Sequence, residues 1–142
     1  LPEKWIAFKN KCDQAITDIP DNHLFGIDIN RTRVLEARGN VRKAGFQKKI
    51  DITIVDFKTY IPKVQPTLWV ANPPYGKRLD EEEDLIPLYR SLGDLFKKYS
   101  PNRAFVLTSS MPLSKEVGLK ASKRHVVSHG GLEARWLEYV LY

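Results

Sequence analysis

The residues Asn72-Pro73-Pro74-Tyr75 have the types and spacing that could do chemistry in this sequence. Two successive prolines fix φ near about −65° and supply no backbone N–H, so the surrounding carbonyls can accept hydrogen bonds from another molecule. Asn72 adds a side-chain carbonyl, and Tyr75 adds a flat ring that can stack on a planar ligand. A nucleobase NH₂ group would donate to Asn72 and to the Pro73 carbonyl, which makes its nitrogen nucleophilic. The alternative is an ordinary proline-rich turn.

Three predicted strands would position these and other polar residues. The apolar run from Leu68 to Ala71 predicts a strand that ends at Asn72, and two earlier apolar segments, 23–30 and 51–57, each carry an acid near their end. Ligands of open α/β sheets bind at the carboxyl ends of the strands. Asp28 could there accept from both hydroxyls of a ribose, although an acid before a helix is also favoured by the helix dipole. Asp56 could equally be ordinary turn chemistry.

The remaining hydrophobic periodicity predicts alternating helices and strands. Helices are predicted over 3–17, 31–44, 80–99 and 112–118, and strands over 103–108, 124–128 and 132–141. We expect Trp5 and Phe8 to pack in the core. In the second helix, Asn30 is the predicted N-cap and Gly45 the predicted C-cap. Its predicted inward positions are Val34, Leu35, Ala37, Val41 and Ala44.

Composition excludes several classes of protein. With 142 residues and 42% apolar content, the chain has the size of one domain with a single core. Cys12 is the only cysteine, so neither an intrachain disulfide nor a cysteine-based zinc site can form. The three histidines are not spaced to converge on a metal, and no apolar run reaches the length of a membrane span. We therefore expect a cytoplasmic protein without metal, and its net charge of +6 suits a polyanionic partner.

The extended segment Asn72-Pro73-Pro74-Tyr75-Gly76-Lys77-Arg78-Leu79 resembles the catalytic motif of the S-adenosylmethionine-dependent amino-methyltransferases. Within them it is most similar to the 23S ribosomal RNA guanine-N2 methyltransferases and their THUMP-domain relatives. The spacing of Gly26 and Asp28 is similar to the second motif of this family. The resemblance implies a Rossmann-like class I methyltransferase fold, an α/β sheet that closes with a C-terminal antiparallel hairpin. It also implies S-adenosyl-L-methionine as the cofactor and 23S ribosomal RNA as the partner.

The resemblance also implies roles for individual residues. The catalytic loop would be Asn72, Pro73, Pro74 and Tyr75, and the residues that bind the cofactor would be Asp28, Ile29, Asp56, Phe57 and Asn72. Lys77 and Arg78, beside the loop, are the candidates for contact with RNA phosphates. A run of basic residues between 31 and 49 is a weaker candidate, because a charge run is usually a solvated face.

One expected feature is absent from the sequence. None of the eight glycines forms the Gly-x-Gly loop that follows the first strand in this family. We therefore expect residues 1–142 to be a partial catalytic domain, with a helix and linker over 1–22 and the sheet core over 23–142. The absent first strand would lie between the second and fourth strands, which would then be about 9 to 10 Å apart.

Other functions remain open at this point. A DNA adenine-N6 methyltransferase and a protein glutamine-N5 methyltransferase use the same kind of loop. A non-catalytic RNA-binding fragment would fit the absent glycine loop and the positive charge. The sequence leaves the modified nucleotide and the oligomeric state open.

Overall fold

The computed structural model describes residues 2–21, 23–75, 79–129 and 132–142, with the side chains of 79–82, 129 and 132 excepted. Backbone contacts divide the chain into two compact units, Leu1–Thr59 and Tyr60–Tyr142. Each unit is described by itself below.

The first unit has two helices and two strands. In chain order these are α1 (Pro2–Gln14), β1 (Leu24–Asp28), α2 (Arg31–Lys43) and β2 (Ile50–Ile54). The two strands pair in parallel, with Leu24 opposite Ile50 and Asp28 opposite Ile54. Helix α2 connects them and packs on both, and it buries Val34. The carboxyl ends of β1 and β2 therefore lie at the same edge of this small sheet.

The ends of α2 follow the predicted capping chemistry with one shift. The side chain of Asn30 accepts a hydrogen bond from the Arg33 N–H at 3.2 Å, which confirms Asn30 as the N-cap. The C-cap is Ala44 rather than Gly45, and Gly45 follows it with φ of 80°. A glycine adopts this left-handed conformation without steric cost, so it turns the chain towards β2.

The predicted inward face of α2 was too wide. Val34 is buried and Ala37 and Val41 are half-buried, but Leu35 is 50% exposed and Ala44 is exposed. Leu35 lies about 100° from Val34 around the helix axis, so a helix that packs on only two strands cannot bury both. The predictions for Leu35 and Ala44 were therefore wrong.

The prediction that Trp5 and Phe8 pack in a core was also wrong. Helix α1 ends at Gln14 rather than at residue 17, and it has no buried residue. Trp5 is 63% and Phe8 59% exposed, and their ring centroids lie 6.2 Å apart. Helical spacing of apolar residues predicts an amphipathic helix, but burial also needs a partner surface.

The second unit is a four-stranded sheet with two helices. Its elements are β3 (Leu68–Ala71), α3 (Leu79–Lys98), β4 (Asn102–Thr108), α4 (Met111–Glu116), β5 (Lys123–His129) and β6 (Leu132–Leu141). The strand order is β3-β4-β6-β5. Strands β3 and β4 are parallel, whereas β6 is antiparallel to both β4 and β5. The β5–β6 pair is the predicted C-terminal antiparallel hairpin.

These pairings confirm the predicted Rossmann-like α/β fold. In each unit a helix connects two parallel strands, α2 between β1 and β2 and α3 between β3 and β4, and the antiparallel hairpin follows β4. Among the described residues no strand pairs with the second side of β1 or of β3, so the strands form two separate sheets.

One face of the four-stranded sheet forms the core of the second unit. Alternate residues of β4 and β6, including Ala104, Val106 and Leu137, are buried there. Helix α3 covers this face with an apolar stripe of residues at helical spacing, which includes the buried Tyr89, Leu92 and Phe96. The indole of Trp69 on β3 lies 6.3 Å from the Phe96 ring, measured between centroids. The core thus joins β3, and the loop that follows it, to α3.

The opposite face of this sheet remains open among the described residues of the unit. A shallow hollow of about 370 Å³ is lined by Val70, Phe105, His125 and Trp136. Nearby, the buried carboxylate of Glu138 lies 3.5 Å from Arg103 and 3.5 Å from His125. The unit's own described helices therefore cover only one side of the sheet.

Replacing Gly93 by alanine should destabilise the second unit. A Cβ at this position of α3 would lie 1.8 Å from the carbonyl oxygen of Val117, so α3 and the end of α4 would have to separate. We expect Gly93→Ala to lower the unfolding free energy by about 1–3 kcal/mol, despite alanine's better helix propensity. Guanidinium unfolding followed by circular dichroism would measure the change.

Gly39→Ala in α2 is the matched control. A Cβ at Gly39 meets nothing within 4 Å, so only the gain in helix propensity of about 0.5–1 kcal/mol should appear. A similar effect for both substitutions would show that the close approach at Val117 does not limit position 93.

Alkaline pH should destabilise the fold through Tyr139. Burial raises the pKa of this tyrosine from 10.0 to about 12. Because the folded pKa lies above the unfolded value, the stabilisation is complete below about pH 10 and is lost as the pH rises towards 12. In Tyr139→Phe, unfolding free energy should fall less steeply over this range, by up to about 1.4 kcal/mol per pH unit.

Urea unfolding at several pH values between about 9 and 12 would test this. Both proteins keep Lys49, whose pKa is raised by hydrogen bonds to Asp21 and Asp18, so its contribution cancels in the comparison. Equal slopes for the two proteins would mean that Tyr139 ionises as readily in the folded as in the unfolded chain.

Candidate active site

Asp28 ends β1 with its carboxylate exposed and fixed in orientation. Its Oδ1 accepts a hydrogen bond from the Asn30 N–H at 2.7 Å. Asn30 is itself the N-cap of α2, so the turn between strand and helix is held at both ends. Oδ2 has no partner among the described residues and can accept from a ligand. A ribose offers two adjacent hydroxyl donors that suit such a group.

Asp56 has the same arrangement just beyond the end of β2. Its Oδ1 accepts from the Lys58 N–H at 2.9 Å, and its carbonyl accepts from the Thr59 N–H at 3.0 Å. The second carboxylate oxygen has no partner within the described part of the chain. The half-buried ring of Phe57 follows directly. An acceptor oxygen beside an aromatic ring suits a planar heterocycle that carries an amino group.

The structure brings these residues to one edge of the first unit, as the sequence predicts. The Val55 N–H donates to the Asp28 carbonyl at 3.0 Å, which extends the parallel pairing past the end of β1. Ile29, the other residue proposed to contact the cofactor, is exposed next to Asp28. This edge therefore offers two anchored carboxylates with apolar side chains beside them.

The proline-rich loop follows β3 in the second unit. Asn72 is exposed, Pro73 is buried and Tyr75 is half-buried. Among the described residues, neither the side chain of Asn72 nor the carbonyl of Pro73 has a hydrogen-bond partner. Both acceptors that the prediction requires thus keep their hydrogen-bonding capacity within the described part of the chain.

The carbonyl of Pro74, unlike that of Pro73, contacts a buried side chain of the second unit. The hydroxyl oxygen of Tyr89 lies 3.3 Å from the Pro74 carbonyl oxygen and 3.2 Å from Oγ1 of Thr108. Oγ1 of Thr108 accepts from the Ser110 N–H at 3.1 Å. Tyr89 is fully buried on α3, so its hydroxyl connects the loop to α3 and to the end of β4. Pro74 therefore holds the loop in place.

The hydrophobic periodicity over residues 80–99 predicts the helix that carries Tyr89, but it gives the hydroxyl of this tyrosine no role. The stripe otherwise consists mainly of leucine and phenylalanine. A tyrosine at a fully buried position indicates that its hydroxyl has a partner, since an unpaired buried hydroxyl is unfavourable. That signal could have identified the residue but not its partner.

Two residues of the predicted site cannot be located in the structure. Lys77 and Arg78, the candidates for phosphate contact, lie outside the described residues. Within the ranges that the structure describes, no three His, Cys, Asp or Glu residues converge as a metal site would require. None of the described helices has the length and apolar character needed to cross a membrane.

Residues 2–137 match the family UPF0020, described as the RMKL-like methyltransferase domain. The chain belongs to this methyltransferase family. The resemblance found in the sequence is thereby confirmed at the level of the family. A curated relative, ribosomal RNA large subunit methyltransferase K/L of Methylococcus capsulatus, is 34% identical over 128 residues. The match covers 89% of this chain but only 17% of that protein.

Solved methyltransferase structures share the fold. A possible methylase from Clostridium difficile is 25% identical with a TM-score of 0.82, and the match covers 97% of this chain and 37% of that one. A predicted N6-adenine-specific DNA methylase from Listeria monocytogenes is 28% identical with a TM-score of 0.70. That match covers 83% of this chain and 30% of the other. The chain thus spans about a third or less of these relatives.

Removing the Tyr89 hydroxyl should loosen the loop. Tyr89→Phe leaves the Pro74 carbonyl and Thr108 without this contact, so we expect a loss of about 0.5–1.5 kcal/mol in unfolding free energy. Hydrogen exchange at the Asn72 and Tyr75 amides should become faster in the native protein. Denaturant unfolding and exchange followed by mass spectrometry would measure both effects.

Tyr99→Phe is the control, because it makes the same chemical change at a half-buried tyrosine whose hydroxyl has no partner among the described residues. It should alter neither quantity measurably. Unchanged exchange at Asn72 and Tyr75 in Tyr89→Phe would contradict a role for the Tyr89 hydroxyl in holding the loop.

Proposed function

We propose that this chain is part of the catalytic domain of an S-adenosylmethionine-dependent methyltransferase that modifies the exocyclic N2 amine of a guanine in 23S ribosomal RNA. The observation that carries the proposal is a pair of acceptors without a partner among the described residues, Asn72 Oδ1 and the Pro73 carbonyl, on a loop that Tyr89 fixes. Membership of the RMKL-like methyltransferase family supports methyl transfer, and the name of the Methylococcus relative supports ribosomal RNA.

The first unit would bind the nucleoside part of the cofactor. The free oxygen of Asp28 accepts from the ribose hydroxyls, with Ile29 beside it, and the free oxygen of Asp56 accepts from the adenine amino group. Phe57 packs on the adenine ring. The anchored geometry of both carboxylates supports these roles, since each keeps one oxygen for the ligand. When bound, S-adenosylmethionine supplies an electrophilic methyl group on its sulfonium.

The loop of the second unit would bind the target amine. Asn72 and the Pro73 carbonyl accept its two N–H donors, which withdraws the nitrogen lone pair from conjugation with the base, and Asn72 also lies beside the cofactor. Tyr75 stacks on the base, and Lys77 and Arg78 contact phosphates. Catalysis then depends mainly on positioning and on the two acceptors that make the amine nucleophilic. The base must be unpaired or flipped out to reach such a loop.

A DNA adenine-N6 methyltransferase is the second candidate. Its support is the structural likeness to the Listeria protein described as a predicted N6-adenine-specific DNA methylase. The amino group of adenine offers the same two donors to the loop, so the chemistry of the acceptors alone does not separate the two substrates.

The first experiment is calorimetric titration of the chain with S-adenosylhomocysteine, repeated on Asp28→Ala. Loss of a charge-assisted hydrogen bond should weaken binding by about 10- to 100-fold. Asp13→Ala on α1 removes another exposed carboxylate and should leave binding unchanged. If Asp28→Ala binds S-adenosylhomocysteine as tightly as the wild type does, Asp28 does not contact the ribose.

The substrate is tested with methyl-labelled cofactor and two acceptors, 23S ribosomal RNA and adenine-containing DNA. We expect label in guanine of the RNA, and loss of transfer in Asn72→Ala because one amine acceptor is gone. Label that enters only DNA adenine would replace the RNA proposal by the second candidate. Transfer by Asn72→Ala at the normal rate would contradict the role of the loop.

A further inference from the structure

The positive charge of the chain is concentrated in one segment. Residues 31–49 contain seven Lys and Arg residues and one acid, whereas the rest of the chain contains sixteen basic and sixteen acidic residues. The entire net charge of +6 therefore belongs to a segment that consists of α2 and the turn into β2. A charge imbalance confined to one surface element indicates an anionic partner for that element.

Three of these arginines lie in one line on α2. Arg31, Arg38 and Arg42 fall within about 60° around the helix axis, together with Leu35, and extend over about 16 Å along it. All three arginines are exposed, and Leu35 is exposed between them. We call Arg31, Arg38 and Arg42 the arginine stripe.

The acids near α2 neutralise other basic residues. Glu36 pairs with Arg33 at 3.0 Å, and Lys49 pairs with Asp18 at 3.1 Å and Asp21 at 2.9 Å. Within the described part of the chain, no carboxylate pairs with the arginine stripe. The side of the helix that carries the stripe thus keeps its charge.

Helix stability does not explain the stripe. The first turn of α2 contains no acid, and Arg31 lies there beside the positive end of the helix dipole, where a cation is unfavourable. Arg38 and Arg42 are one turn apart, and like charges at this spacing repel each other. Arg42 lies in the last turn, where the dipole favours a cation, but the position of Arg31 and the repulsion between Arg38 and Arg42 both oppose helix stability. This points to a role for the stripe outside the fold.

Arg38 is held in a fixed position. Its Nε donates to the Ile52 carbonyl on β2 at 2.7 Å, which leaves its two terminal nitrogens without a partner among the described residues. A guanidinium already fixed by one hydrogen bond loses less freedom when it binds a ligand. Its planar donor geometry suits the oxygens of a phosphate.

We propose that the arginine stripe binds backbone phosphates of RNA. The choice of RNA as the polyanion rests on the proposed function, whereas the stripe itself rests on charge and geometry. The contact is to phosphates and therefore holds the RNA without reading its sequence. It adds a second phosphate-binding surface to the one proposed for Lys77 and Arg78.

The test compares two double variants on the same helix. Arg31→Gln with Arg42→Gln removes two stripe charges and keeps Arg38 in its bond to Ile52. Arg33→Gln with Lys43→Gln removes the same charge from other sides of α2. Fluorescence anisotropy with a labelled ribosomal RNA hairpin, repeated over a range of salt concentrations, measures binding of the wild-type chain and both variants. Circular dichroism and thermal unfolding establish that all three proteins are folded.

We expect the stripe variant to bind RNA about tenfold or more weakly at moderate salt. The slope of log affinity against log salt should fall by about 1.4 to 1.8, the value for two lost phosphate contacts. The control variant should remain within about threefold of the wild type. Equal losses of RNA affinity in both variants would show that only the net charge matters, and would overturn the proposal. RNA binding by the stripe variant as tight as that of the wild type would also overturn it.

Two further measurements separate this inference from the proposed function. S-adenosylhomocysteine should bind the stripe variant normally, and Asp28→Ala should bind RNA normally, so failure of one activity leaves the other measurable. Polyglutamate at an equal concentration of negative charge should compete poorly with RNA, because it lacks phosphates. Competition as effective as that of unlabelled RNA would assign the stripe to an acidic protein and overturn the choice of RNA.

Discussion

Parallel strand pairing is the constraint on which the candidate site depends. With Asp28 opposite Ile54, the first residues after β1 and β2 emerge at the same edge, and the Val55 N–H bond to the Asp28 carbonyl fixes this register. A shift of one residue in β2 would turn its side chains to the opposite face of the sheet. The proposal that Asp28 and Asp56 contact one cofactor depends on this register.

The side chains proposed to touch ligands stand at the end of a strand or on a loop, and the backbone beside each of them is held. Asn30 fixes Asp28 while it caps α2, the Lys58 N–H fixes Asp56, and Tyr89 joins the Pro74 carbonyl to the core. Each of these contacts occupies one acceptor oxygen. The acceptor oxygen beside it, which is proposed to bind a ligand, is therefore already oriented. Such preorganisation is what a reaction that depends on positioning requires of its protein.

The sequence predicted those features that depend on local chemistry. The bounds of β3 and β6 follow from apolar runs between turn residues, and the acids at the ends of β1 and β2 are visible as soon as the strands are recognised. Burial was predicted less well, because it depends on what lies opposite. Phe8 has helical spacing but no partner surface, and Leu35 lies on the side of α2 that two strands cannot reach. The Tyr89 contact joins residues distant in sequence, which periodicity cannot detect.

The first turn of α2 shows how function and stability compete at one place. The positive end of the helix dipole favours the carboxylate of Asp28 just before it, and the same end disfavours Arg31 within it. A sequence under selection for helix stability alone would place an acid at that position. Sites where a local rule is broken without a compensating contact are expected to be functional. Here the rule is broken by Arg31, the residue that begins the arginine stripe, and no carboxylate in the described part of the chain pairs with it.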